Sequence, residues 1–163
     1  MTIKEIMQID ATRSGKASGC VVNLLGIYHD VKKETIPEKF KAQVGGSTSI
    51  NVYYIILKFS VKSADSGKEH IVYVRLCPDF NLSRIDQSEV EVYCDCQDFM
   101  YRSAYELNKA GSAFVTPKIQ VRLGQSLSDA PKAEYKTSKL CKHSYAALQW
   151  LLSNYSSVMG RLI

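Results

Sequence analysis

Polar and apolar positions divide this chain into short stretches of different period. Near the start, Ile3, Ile6 and Met7 recur at helical spacing, and Thr2-Ile3-Lys4-Glu5 has a Thr followed three residues later by Glu, the spacing of a capping box. Residues 1–19 therefore read as a helix or an arm, with Ser14-Gly15-Lys16-Ala17-Ser18-Gly19 as a flexible link. Cys20 to Ile27 is a short apolar run of strand type. Thr35-Ile36-Pro37-Glu38 repeats the capping spacing ahead of Phe40 and Val44 and predicts a helix. Gly45-Gly46-Ser47-Thr48-Ser49 stops it.

The clearest β signal follows. Asn51 to Lys62 carries Val52, Tyr53, Tyr54, Ile55, Ile56, Leu57, Phe59 and Val61, a density that suits a central strand covered on both faces. A turn at Ala64-Asp65-Ser66-Gly67-Lys68 leads into an alternating run from Ile71 to Cys77, so the two runs predict an antiparallel hairpin. Glu89 to Cys94 alternates polar and apolar in strict period 2, a third strand. Asp98 is placed to cap a helix from Phe99 to Ala110, with Met100, Ala104 and Leu107 on one face and Gly111 at the stop. Lys118 to Leu123 alternates like an edge strand, and Ser138 is placed to cap a last helix, Leu140 to Ser153, with Ala147, Leu148, Leu151 and Tyr155 on its apolar face.

These elements predict an α+β fold: an antiparallel sheet of 3–5 strands with 3–4 helices, residues 20–163 forming a single domain. With 163 residues and 45% apolar content, a core forms without disulfide staples. No run of 18 apolar residues spans a bilayer, and the first residues lack the apolar stretch of a signal peptide, so the expected location is a reducing compartment without a membrane. The net charge of +5 permits contact with nucleic acid without requiring it. The 10 tyrosines read first as half-buried strand residues and second as interface residues.

In a reducing setting, close cysteines read as metal ligands before disulfides. Cys94-Asp95-Cys96 stands at a strand end, where residues two apart point the same way. Cys141-Lys142-His143 opens the last helix, whose free amides favour thiolate. Three thiolates and one imidazole complete a zinc tetrahedron and leave no place for a reacting water, which points to a structural ion and away from catalysis. Two other uses of these residues fit less well. A Cys94–Cys96 disulfide closes a strained ring. A Cys141–His143 dyad lacks flanking oxyanion-hole glycines and leaves the first pair unexplained. Cys20 and Cys77 read as small buried apolar groups. His29 and His70 read as bystanders with no carboxylate or nucleophile beside them. No phosphate-cradling glycine loop or paired-carboxylate motif appears, and no small-molecule substrate is expected.

The order of strands, a Cys-x-Cys at a strand end and a Cys-x-His opening a helix resembles the SWIM-type zinc finger, on Cys94, Cys96, Cys141 and His143, over about residues 70–153. Residues 97–140, 44 in all, separate the two pairs, more than in most members. The string Cys94-Asp95-Cys96-Gln97-Asp98-Phe99-Met100-Tyr101-Arg102, with Leu140-Cys141-Lys142-His143 later, is similar to small SWIM-like proteins of large tailed bacteriophages. That resemblance implies a virion component of capsid, neck or tail, bound to other virion proteins or to itself in an oligomer. SWIM fingers also contact DNA, which implies the alternative of a nucleic-acid-binding regulator or recombination accessory. Its basic residues would be Lys109, Lys118, Arg122, Lys132, Lys136, Lys139 and Lys142. Asp98 and Arg102, four apart on the expected helix, read first as a cap and a surface pair, and second as Arg102 ordering the finger loop or touching a partner.

Overall fold

The computed structural model describes residues 1–10, 14–35, 49–77, 83–114 and 140–162. The expected helix after Thr35, the edge strand at 118–123 and the Ser138 cap lie outside the described residues. So do Lys118, Arg122, Lys132, Lys136 and Lys139, and the Arg102 side chain.

Helix α1 (Ile3–Ile9) is fixed at its start by the capping box. The Thr2 hydroxyl accepts from the Glu5 N–H at 3.2 Å, and the Glu5 carboxylate accepts from the Thr2 N–H at 2.9 Å. Ile3 and Ile6 are fully buried, so this end is a helix packed into the core and not an arm. The stretch expected to be a flexible link holds a one-turn helix, α2 (Ser14–Ala17), with Ala17 buried.

Four strands form one antiparallel sheet in chain order: β1 (Val21–Thr35), β2 (Ser49–Lys62), β3 (Glu69–Leu76) and β4 (Val90–Cys94). The hairpin and the third strand stand where the alternation placed them. The first strand runs further than expected. Thr35, read as a helix cap, is its last residue and pairs with Ser49. The physical reason is the partner: β2 is long enough to hold β1 in a ladder to its end, and cross-strand pairing outweighs a local capping signal. Beyond β4, Ala113 adds a single parallel bridge to Val92.

One face of the sheet is the core. Leu57, Phe59, Val61, Val72, Val74, Leu76, Val90, Val92 and Cys94 all point to it and are buried, as the period of 2 requires. Helix α4 (Lys142–Leu162) packs on this face through Ala147, Leu148 and Leu151, and Trp150 meets Phe59 edge-on with ring centroids 5.5 Å apart. The helix extends past Ser153 because Val158, seven residues after Leu151, returns to the core and is buried.

The helix expected over 99–110 forms in two parts. A π-helical turn (Phe99–Ser103) precedes α3 (Ala104–Lys109), and Gly111 leaves it at φ 72°, the left-handed conformation of a helix stop. Among the described residues, no helix is long and apolar enough to cross a membrane.

Candidate metal centre

Three elements converge at the end of the sheet. Cys94 is the last residue of β4 and Cys96 stands three residues before the π-helical turn. Cys141 precedes α4, and His143 lies in that helix's first turn. All four are buried, and one ligand atom from each lies within 4.8 Å of the other three. Zinc bonded to sulfur at ~2.3 Å sets neighbouring sulfurs ~3.8 Å apart in a tetrahedron, so the observed cage is of the right size to close on one ion. The sequence-derived ligand set is thus brought together across a separation of 44 residues.

Local backbone chemistry explains how each cysteine is held. Both Cys96 and Cys141 occupy the N-cap position of the helical segment that follows. The Phe99 N–H donates to Cys96 Sγ at 3.3 Å, while the Met100 N–H begins the helical ladder on the Cys96 carbonyl at 3.1 Å. In the same way the Ser144 N–H donates to Cys141 Sγ at 3.4 Å, and the Tyr145 N–H to the Cys141 carbonyl at 3.0 Å. The Ser144 hydroxyl accepts from the Cys141 N–H at 3.1 Å, completing a capping box in which sulfur takes the usual place of a hydroxyl. Asp98 makes no side-chain cap, contrary to expectation. The helical ladder already begins at Cys96, whose carbonyl takes the Met100 amide that an Asp98 cap would use. Amide hydrogens aimed at both sulfurs stabilise negative charge there.

His143 is oriented from its far side. Its Nε2 is 2.7 Å from the Ser63 hydroxyl at the end of β2, while its buried Nδ1 has no hydrogen-bond partner. A buried ring nitrogen without a partner costs free energy unless something else satisfies it. A cation in the cage does so if Nδ1 is the ligand and Nε2–H donates to Ser63, the arrangement common for metal-bound histidine. The donor set therefore fits a metal ion on two independent grounds, the size of the cage and the orphaned nitrogen.

The thiols of this cage disturb one another. Burial, then contact with Cys141 and Cys96, pushes the Cys94 thiol well up. Contact with Cys141 raises Cys96. Burial also acts to raise Cys141, but the polar groups packed around it, Cys94 and Cys96 first, outweigh burial and hold that thiol well below its usual range.

The surroundings contain groups the sequence did not mark. Asp95, between the first two ligands, accepts from the Ile71 N–H at 3.2 Å and lies 3.0 Å from His70 Nδ1, latching the turn to β3. The sequence reads His70 as a bystander. Strand pairing supplies Asp95, and the His70 ring stacks on His143 at 4.3 Å between centroids. His70 is not among the four ligands. Lys142 pairs with Asp65 in the β2–β3 turn at 3.0 Å, which holds the Asp65 carboxyl below its usual range. Buried Asp10, just after α1, accepts from the Leu140 N–H at 2.9 Å and so anchors the entry to the second ligand pair. Cys20 and Cys77, expected to be buried, are each half-exposed. The Cys20 thiol points back to the Lys16 carbonyl at 3.8 Å.

Comparison with protein-family models, with curated proteins and with solved structures finds no match to this chain.

Proposed function

We propose that this chain is a non-enzymatic structural or assembly protein whose fold is pinned by one zinc ion on Cys94, Cys96, Cys141 and His143. The observation that carries the reading is the buried Cys₃His cage, whose four donor atoms are the number a closed tetrahedral site takes. A metal so enclosed has no place for a substrate or a reacting water; its work is to join elements. The donors come from the end of β4, the turn after it and the start of α4, so one ion replaces contacts that would otherwise need a larger core, at ~10 kcal/mol or more of binding energy that becomes folding energy. Zinc is the metal of choice because three thiolates and an imidazole in a tetrahedron suit a soft, redox-silent cation.

The resemblance to SWIM-like phage proteins, carried by the strings around Cys94 and Cys141, supports placing the chain in a tailed-phage particle, bound to virion proteins or to its own copies. The test is quantitative mass spectrometry of purified particles. The reading expects a fixed copy number that survives washing in high salt; particles without the chain would end it.

A further inference from the structure

The sheet leaves one long edge open. Strand β1 stands at the end of the strand order, and among the described residues no strand or bridge pairs with its outer side. It is 15 residues long. Strand β3 covers β2 only from Ile55 to Lys62, so the six pairs from Asp30–Tyr54 to Thr35–Ser49 form a two-stranded ribbon beyond the body, ~20 Å long at ~3.4 Å per residue. A ribbon of two strands is marginal in water by itself. This one also exposes apolar side chains: Val31 at 51%, Tyr53 at 63%, and Ile50 at 46%. Of these only Val31 lies on the edge strand, whose ribbon segment otherwise carries Asp30, Lys32, Lys33 and Glu34; a long unpaired edge accepts another strand where such charges are matched.

Charge along the edge says which strand. An antiparallel pair of identical strands, related by a two-fold axis normal to the sheet, sets residues opposite one another symmetrically about the axis. An axis at Asp30, Lys32 or Lys33 puts two like charges face to face. An axis at Tyr28 or His29 draws the bulge between Leu24 and Gly26 into the pairing. An axis at Val31 does neither. It sets Asp30 against Lys32 on both sides, and it uses only Ile27 to Thr35, which lie beyond the bulge. Because Val31 pairs with Tyr53 inside one chain, the same axis builds a row Tyr53–Val31–Val31–Tyr53 across four strands. That row joins the two exposed apolar side chains at the centre of the ribbon to their own copies.

We infer that this protein forms a two-fold dimer through antiparallel pairing of β1 with β1 of a second copy, centred on Val31. The inference deepens the assembly reading, on which its purpose rests, though its geometry does not involve the metal. The two ribbons become one four-stranded sheet, and both bodies share a continuous sheet of eight strands.

The test is sedimentation velocity on the metal-loaded full chain over a wide concentration range, with Val31→Lys and Val31→Glu as variants. Val31 is half-exposed, so both variants keep their circular dichroism and metal content. The wild type sediments as a concentration-dependent dimer. Each variant alone is a monomer, since like charges meet on the axis, and an equimolar mixture of the two restores the dimer. A wild-type chain that stays monomeric throughout, as when the edge serves a strand of another protein, overturns the inference. So does a dimer indifferent to both variants, or a mixture that fails to re-form. A monomer that still carries its metal and is still found in particles overturns the edge pairing and leaves the assembly reading standing.

Discussion

The metal-pinned end of the molecule and the β1–β2 ribbon are built from opposite materials. At the pinned end, polar groups are buried and spoken for: Ser63, Asp10 and Ser144 each hold a ligand or the backbone beside one. In the ribbon, apolar groups are exposed, and what order it has comes from a ladder of backbone bonds with a few side-chain ties at its base. There Arg75 sits between the Tyr54 and Phe114 rings, 4.8 Å from each centroid. It pairs with Glu91 and reaches Asp30 at 3.7 Å. The lesson is a division of labour. On the proposed reading a cation and a small core hold one end together, while at the other a sheet edge stays unpaired among the described residues.

The largest effect expected is at the pinned end. His143→Ala removes one donor, leaves three buried thiols around an incomplete site, and forfeits most of the ~10 kcal/mol that metal binding contributes. Metal analysis with thermal unfolding by circular dichroism should show less than one ion per chain and no cooperative transition. A variant that loses its metal yet melts like the wild type breaks the contrast between the two ends.

Next is a matched pair of truncations. Leu148→Ala, in the buried face of α4, should cost ~2–5 kcal/mol. Val31→Ala, on the ribbon, should stay within ~0.5 kcal/mol for the isolated subunit. Urea titration at a protein concentration low enough to keep subunits apart reads both. Equal costs would mean the ribbon is part of the core.

A smaller effect is expected from Ser63→Ala, which removes the group orienting His143. Metal affinity should fall ~10–100-fold with the fold intact, as measured by competition with a chromophoric chelator. Affinity unchanged would mean that Nε2, not Nδ1, faces the cage.

These residues also show what the sequence could and could not reveal. The four ligands were legible because they come as two tight pairs, and proximity in sequence carries their meaning. Ser63 and the Asp95–His70 contact were not, because only strand pairing and the turn after β2 bring them to the site. The cap was misread for a different reason. Asp98 is a good N-cap by type, but the helical turn starts two residues earlier, with the Cys96 sulfur on the Phe99 amide and the Cys96 carbonyl on the Met100 amide, and cysteine is not among the residue types that signal a cap. The core faces of β2, β3 and β4 were plain in their alternation. The true length of β1 was hidden by a capping pattern at Thr35 that loses to the ladder with β2.

The smallest effect is a titration in the ribbon. The hydrogen bond from Tyr54 to Glu34, 2.6 Å long, together with burial, pushes the Tyr54 phenol from 10.0 up to about 12. A folded pKa raised above the unfolded one gives stability that is whole below pH 10 and is lost as pH climbs toward 12. Phenolate absorbance should therefore show one tyrosine ionising late, and Glu34→Gln should bring it earlier. A Tyr54 that titrates with the exposed tyrosines would place Glu34 elsewhere and loosen the ribbon's base.

The account depends most on one cation held by four named side chains. X-ray absorption at the zinc edge, on protein purified without added chelator, tests that directly. The prediction is one zinc per chain with three sulfurs at ~2.3 Å and one nitrogen at ~2.0 Å. A shell with oxygen ligands, fewer than three sulfurs, or no bound metal would contradict it.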